Sequence, residues 1–187
     1  MDQNRIVILV VVVVIAIVVV AAIGFVASRK RRSRKLREHF GPEYDRVLKQ
    51  QGDQRKAEGV LEFRERRREK FKIRPLSASD RQNFSVRWRE VQARFVDDPR
   101  GAVTVADALV TDVMQARGYP IGEFEQRAAD LSVDYPAIVD NYRAGHEISM
   151  RHSEGRASTE DLRQAMMHYR RLFEELVGED TSYSKGA

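Results

Sequence analysis

No cysteine occurs among the 187 residues. That absence excludes a disulfide framework, thiolate zinc sites, iron–sulfur clusters and thiol catalysis. Also missing is any segment with period-two alternation between hairpin turn signals, so strands are not expected. There is no GxxxxGK[ST] and no GxGxxG, and without strands nothing would present such phosphate-binding loops. The length allows about one ordinary domain plus extras, which opposes a multidomain enzyme.

What the chain has instead is a run from Ile6 to Ala27 of 22 residues without a polar side chain, ten of them Val and five Ile. As a helix rising about 1.5 Å per residue it would span roughly 33 Å, against a hydrocarbon core of about 30 Å. β-Branched residues favour strand in water, but in lipid a lone strand leaves its backbone unpaired, so helix is expected. Directly after it come Arg29, Lys30, Arg31, Arg32, Arg34, Lys35 and Arg37. A cleaved signal peptide would carry its positive charge before a shorter apolar stretch. The charge follows here, so the expectation is a retained membrane span with its C-terminal side in the cytoplasm. The seven basic residues would also lie against anionic headgroups of the bilayer.

Charge divides the rest of the chain. Residues 38–97 hold 15 basic and 11 acidic residues, whereas 98–187 hold 10 and 16. The high isoelectric point is owed to the juxtamembrane arm, and an acidic distal half opposes a generic phosphate-backbone binder.

Beyond the arm the pattern is helical. Gly41-Pro42 breaks a short basic helix, and Glu43 to about Ile73 reads as one long, heavily charged helix with sparse apolar residues and no sustained heptad. The expectation is a solvated stalk, with a homodimeric coiled coil through it as the alternative. After Pro75 the helices become amphipathic. Ser77 with Asp80 resembles a capping box before Phe84, Trp88, Val91 and Phe95. Asp97-Asp98-Pro99 makes a stop and restart before Val103, Ala106, Leu109, Val110 and Val113. Phe124, Ala128 and Leu131 follow a turn, and Asp134 is expected to cap a helix carrying Pro136, Ile138, Tyr142 and Ile148. Ser158 with Asp161 opens the cleanest stripe: Leu162, Ala165, Met166, Tyr169, Leu172, Phe173, Leu176 and Val177.

The fold expected is therefore all-α. Residues 1–5 lie outside, 6–28 span the membrane, 29–42 form the basic arm and 43–75 the charged stalk. Residues 76–178 form a small bundle of about five amphipathic helices, and 179–187 a flexible tail.

Catalytic signals are scarce. His146-Glu147 invites comparison with the HExxH zinc helix, but position 150 is Met and His152 falls on a different helical face. The acid pairs at 97–98 and 160–161 sit at helix starts, where capping and dipole effects account for them. No catalytic residue, cofactor or metal ligand is expected. Residues 125–142 carry apolar spacings resembling a helix-turn-helix. Ser132 stands where the turn favours Gly, and the would-be recognition helix offers Asp140, Asn141 and a single Arg143. Nucleic-acid binding by this segment or by the basic arm is the alternative reading.

The strings HFGPEYDRVL (39–48), ARFVDDPRGAV (93–103), GYPIGEFEQRAADLSVDYP (118–136) and LRQAMMHYRRLFEEL (162–176) resemble a family of bacterial single-pass membrane-anchored proteins of unknown function. The resemblance implies a bacterial source, an inner-membrane location and the one-span helical layout, and it carries no catalytic residue with it.

The function expected is a membrane-anchored cytoplasmic helical interaction or scaffold module that binds another cytoplasmic protein. Its candidate surface is the tyrosine- and acid-rich set Tyr119, Phe124, Arg127, Asp130, Tyr135, Tyr142, His168 and Tyr169. That set mixes aromatic anchors with charge.

Overall fold

The computed structural model describes residues 2–178, and for 2–16 and 18 the backbone alone. The expected tail at 179–187 lies outside the described residues. Those residues form eight helices and no strand: α1 Asp2–Phe40, α2 Pro42–Gln51, α3 Gln54–Arg68, α4 Ala78–Asp97, α5 Pro99–Ala116, α6 Phe124–Asp134, α7 Val139–Ser153 and α8 Thr159–Gly178. The protein is all-α. It divides into two compact units between His39 and Phe40.

The first unit is α1 up to His39. The backbone passes from the apolar run into the basic segment without a break, and Ser28 Oγ donates to the Phe25 carbonyl at 2.8 Å. That bond satisfies the hydroxyl without leaving the helix. Among the described residues no helix is long and apolar enough to cross a membrane. Of the Ile6–Ala27 run, the side chains of residues 6–16 and 18 lie outside the described set.

In the second unit, the segment expected to be a single stalk helix is two helices folded against each other. Gly52 adopts the left-handed conformation (φ 66°) and returns its N–H to the Leu48 carbonyl, closing α2. Asp53 then caps α3, accepting from the Lys56 amide at 2.9 Å. A glycine in that conformation ends a helix, where one of helical φ would merely weaken it. The hairpin buries Tyr44, Val47, Ala57 and Leu61, the apolar residues that had looked too sparse for a core. Tyr44 Oη and Gln54 Nε2 both donate to the buried Glu58, at 3.0 and 2.8 Å.

After α3 the chain runs without helix through 72–77. It is held to the end of α5 by the Arg74 amide, which donates to the Arg117 carbonyl at 2.9 Å. Gly118 (φ 96°) allows this approach, because a Cβ there would meet the Lys72 carbonyl oxygen.

The five helices α4–α8 share one hydrophobic core. α7 and α8 pack on each other, α5 packs on both, α4 packs on α5 and α8, and α6 packs on α7 and α3. The caps are those expected from sequence. Ser77 accepts from the Asp80 amide at 3.0 Å, Asp98 from the Gly101 amide at 2.9 Å, and Ser158 from the Asp161 amide at 3.1 Å. One expected cap is corrected. Asp134 is the last residue of α6, its carboxylate drawn to Arg68 Nε at 2.8 Å, and α7 starts only at Val139 after a turn holding Pro136.

What fastens the hairpin to the bundle is a charge. Glu43 is wholly buried. Its carboxylate accepts from Arg46 (2.8 and 2.9 Å), Arg64 (2.5 Å) and Arg143 (2.8 and 3.0 Å), so α2, α3 and α7 meet on one side chain. Arg64 reaches on to Ser132 Oγ of α6 at 3.1 Å. Burial alone would push the Glu43 carboxyl up, yet the three guanidiniums hold it down at about 2. Burial opposes the Arg143 charge and lowers its pKa, against the pull of Glu43.

Removing one partner of a buried ionic cluster leaves the others uncompensated. Glu43→Gln is therefore expected to destabilise the chain by about 3–5 kcal/mol in chemical denaturation. The acid dependence has a definite sign. A carboxyl held below its unfolded value contributes stability above that value and loses it as pH falls towards the folded one. Wild type should thus lose stability between pH 4.5 and about 2. Glu43→Gln should lose measurably less over the same window, as followed by thermal melts at successive pH values.

Candidate functional site

The eight residues of the candidate surface separate into two groups and one outlier, and most are interior. Tyr142 and Tyr169 have no exposed surface, and Tyr119, Asp130 and Tyr135 are nearly as buried. Their stripe on the helices is core packing, so they do not line an open groove.

One group lies where α5, α6, α7 and α8 converge. Tyr169 Oη donates to Asp107 Oδ1 at 2.9 Å. Arg127 bridges the Tyr142 hydroxyl (Nε, 3.0 Å) and the Gly122 carbonyl (Nη1, 2.6 Å). Phe124 stands 4.8 Å from Tyr142 and stacks on the His146 imidazole, with centroids 3.6 Å apart and planes within 9°. Gly145 lets α7 close on α8, since a Cβ there would come within 3.2 Å of the Tyr169 ring.

The second group sits between α3 and α6. Tyr119 Oη donates to Asp134 at 2.5 Å, and Arg67 pairs with Asp130 at 2.8 Å. Arg117 lies over the Tyr135 ring and donates to the Leu176 carbonyl at 2.7 Å. These contacts tie the hairpin and the end of α8 to α6, which is a structural task. His168 stands apart, its Nδ1 3.0 Å from Asn141 Oδ1. Burial, with the Arg171 charge nearby, lowers its pKa.

Two residues complete the first group that sequence reasoning did not assign to a site: Asp107 and His146. His146 Nδ1 is 3.9 Å from Asp107 Oδ1, beyond hydrogen-bond reach but within ion-pair range, and both side chains are about a quarter exposed. Burial pushes the Asp107 carboxyl up, while His146 and the Tyr169 hydroxyl draw it below its usual value overall. Burial and the neighbouring Asp107 raise the Tyr169 phenol. Burial also raises Tyr142, against the pull of Arg127. The signal for both residues was positional. Asp107 borders Val103, Ala106 and Val110 on α5, and His146 borders Tyr142 and Gly145 on α7. A polar side chain beside an apolar stripe meets the neighbouring helix.

Chemically, the Tyr169 phenol holds the Asp107 carboxylate in place, and Phe124 holds the His146 ring beside it. Among the described residues no three His, Asp or Glu side chains are grouped to hold a metal ion. Of the polar residues on the would-be recognition helix, Arg143 is spent on Glu43 and Asn141 lies beside His168, while Asp140 is exposed. No protein-family model matches the chain, and neither does any curated protein or solved structure.

Tyr169→Phe removes the donor from Asp107 while keeping the ring against Gly145. Leaving a half-buried acceptor short of its partner is expected to cost about 1–3 kcal/mol, read as a lowered denaturation midpoint with unchanged helicity.

Proposed function

We propose that the chain is a membrane-tethered helical interaction module. Its N-terminal helix spans a bacterial inner membrane, and the unit from Phe40 onward is displayed in the cytoplasm to bind another protein. One observation carries the tether. The described large apolar side chains of the apolar run, Ile17, Val19, Val20, Ile23, Phe25 and Val26, are all exposed. A helix apolar all round needs an apolar surrounding, and lipid is the one its length suits.

The charge asymmetry supplies the orientation. Arg29, Lys30, Arg31, Arg32, Arg34, Lys35 and Arg37 are all exposed on the same helix, just past the apolar run. Cytoplasmic flanks collect such residues, and anionic headgroups attract them at about 1 kcal/mol each. The interaction role draws support from the second unit. Its tyrosines and buried ion pairs make a framework of packed helices. A binding surface on rigid helices loses little entropy on docking.

The tether is tested by alkaline extraction of bacterial membranes and by protease added to intact spheroplasts. The chain should stay with the extracted membranes, and the unit from Phe40 onward should resist protease until the cells are opened. Release by alkali, or digestion from outside, overturns the proposal.

A further inference from the structure

Helices α4 and α8 bury their main stripes against the common core but leave a cleft between them open to solvent. Trp88 forms its floor, stacked on Phe173 with centroids 4.7 Å apart and planes within 15°. Phe95, Met166 and Met167 form the walls, and the space amounts to about 190 Å³. A small-molecule pocket usually exceeds about 300 Å³, whereas this volume suits one or two inserted side chains. Met167 is 45% exposed. Val96, one turn beyond the lining residue Gln92 on α4, is 81% exposed and prolongs the apolar surface.

The charged side chains that line this cleft are both basic. Its only charged lining residues are Arg163 and Arg170, both on α8 and both more than half exposed. Each is paired within its own helix, Arg163 with Glu160 and Arg170 with Glu174, both at 2.7 Å. Exposed pairs of this kind contribute only a few tenths of a kcal/mol, so an arriving carboxylate replaces them at little cost. The two arginines lie seven residues apart, two helical turns or about 10.5 Å, with both methionines between them. The matching ligand is a helix with acidic residues at i and i+7 and large apolar residues at i+3 and i+4. Methionine walls accommodate such side chains by changing rotamer, and an amphipathic helix laid in a groove is an established recognition geometry.

We infer that the α4–α8 cleft is a docking groove for an acidic amphipathic helix of a partner protein. The inference rests on the interaction reading, for which it supplies the surface and the class of partner, and it does not depend on which side of a membrane the unit lies.

Trp88 is the only tryptophan in the sequence, so its emission reports on the groove directly. The full chain in detergent micelles is titrated with a synthetic helix of about 18 residues, long enough to hold its structure, with Glu and Leu at the positions above. A saturable change in Trp88 emission is expected. It should weaken about tenfold in the double variant Arg163→Gln, Arg170→Gln, and should fade as salt is raised. Both substitutions are on the surface, and an unchanged thermal melt confirms the fold. Met167→Ala, which keeps the charges, should weaken binding too. The inference is overturned if a Lys-for-Glu peptide binds equally well, if the variants bind as wild type does, or if no peptide alters the emission. It is equally overturned if the emission changes with protein concentration alone, marking a second copy in the groove, or only on adding anionic vesicles. A chain released from membranes by alkali that still binds the acidic peptide would refute the tether and leave the groove standing.

Discussion

A carboxylate with no exposed surface must be fully compensated, and at Glu43 the compensation comes from three helices at once. Arg46 belongs to the helix of Glu43 itself, Arg64 to the next, and Arg143 lies a hundred residues away on α7. Each guanidinium is a rigid fork whose donors suit a carboxylate in few orientations. The cluster therefore acts as a gauge of position. If the α2–α3 hairpin slid by one turn on the bundle, a buried charge would lose its partners. Hydrophobic packing alone tolerates such a slip far better, because apolar contacts are not directional. Arg67–Asp130 and Arg68–Asp134 repeat the arrangement nearby, so the α3–α6 seam is polar, in contrast to the apolar core of α4–α8.

That contrast explains which parts of the fold were legible in the sequence. Where burial is apolar and periodic, reading was accurate. All eight residues of the α8 stripe are buried, and the caps at Ser77, Asp98 and Ser158 form the hydrogen bonds their spacing implies. Where burial is polar, it was not. Glu43, Glu58 and Arg64 look like surface residues in any hydropathy pattern, so the segment carrying them resembled a solvated rod. The left-handed backbone of Gly52, which turns the rod into a hairpin, is a conformational fact that composition does not state. Asp134 followed a similar course. It has the residue type of a cap, yet Arg68 and Tyr119 compete for its carboxylate and win.

The candidate site shows the same division. Aromatic and charged residues at helical spacing were identifiable, and four of them, Phe124, Arg127, Tyr142 and Tyr169, do converge. What spacing could not reveal is how deep they lie. The tyrosines are structural members whose hydroxyls are consumed inside, and Asp107 and His146, each about a quarter exposed, join the cluster from two other turns of helix. Likewise, the cleft between α4 and α8 is lined by Trp88, which stacks flat on Phe173. A pair of stripes in a sequence gives no hint of the gap left beside them.

The unhelical link at 72–77 has a consequence for how the second unit is wired. Covalently, the α2–α3 hairpin joins the bundle through this one strip of chain, whereas non-covalently it is joined through the Glu43, Asp130 and Asp134 carboxylates. The two connections are independent. A chain cleaved within the strip would retain the hairpin as a bound fragment, and the two pieces, made separately, have complementary charged faces through which to reassemble. The hairpin is thus related to the bundle much as a subunit is to its neighbour, and the peptide link mainly sets its local concentration.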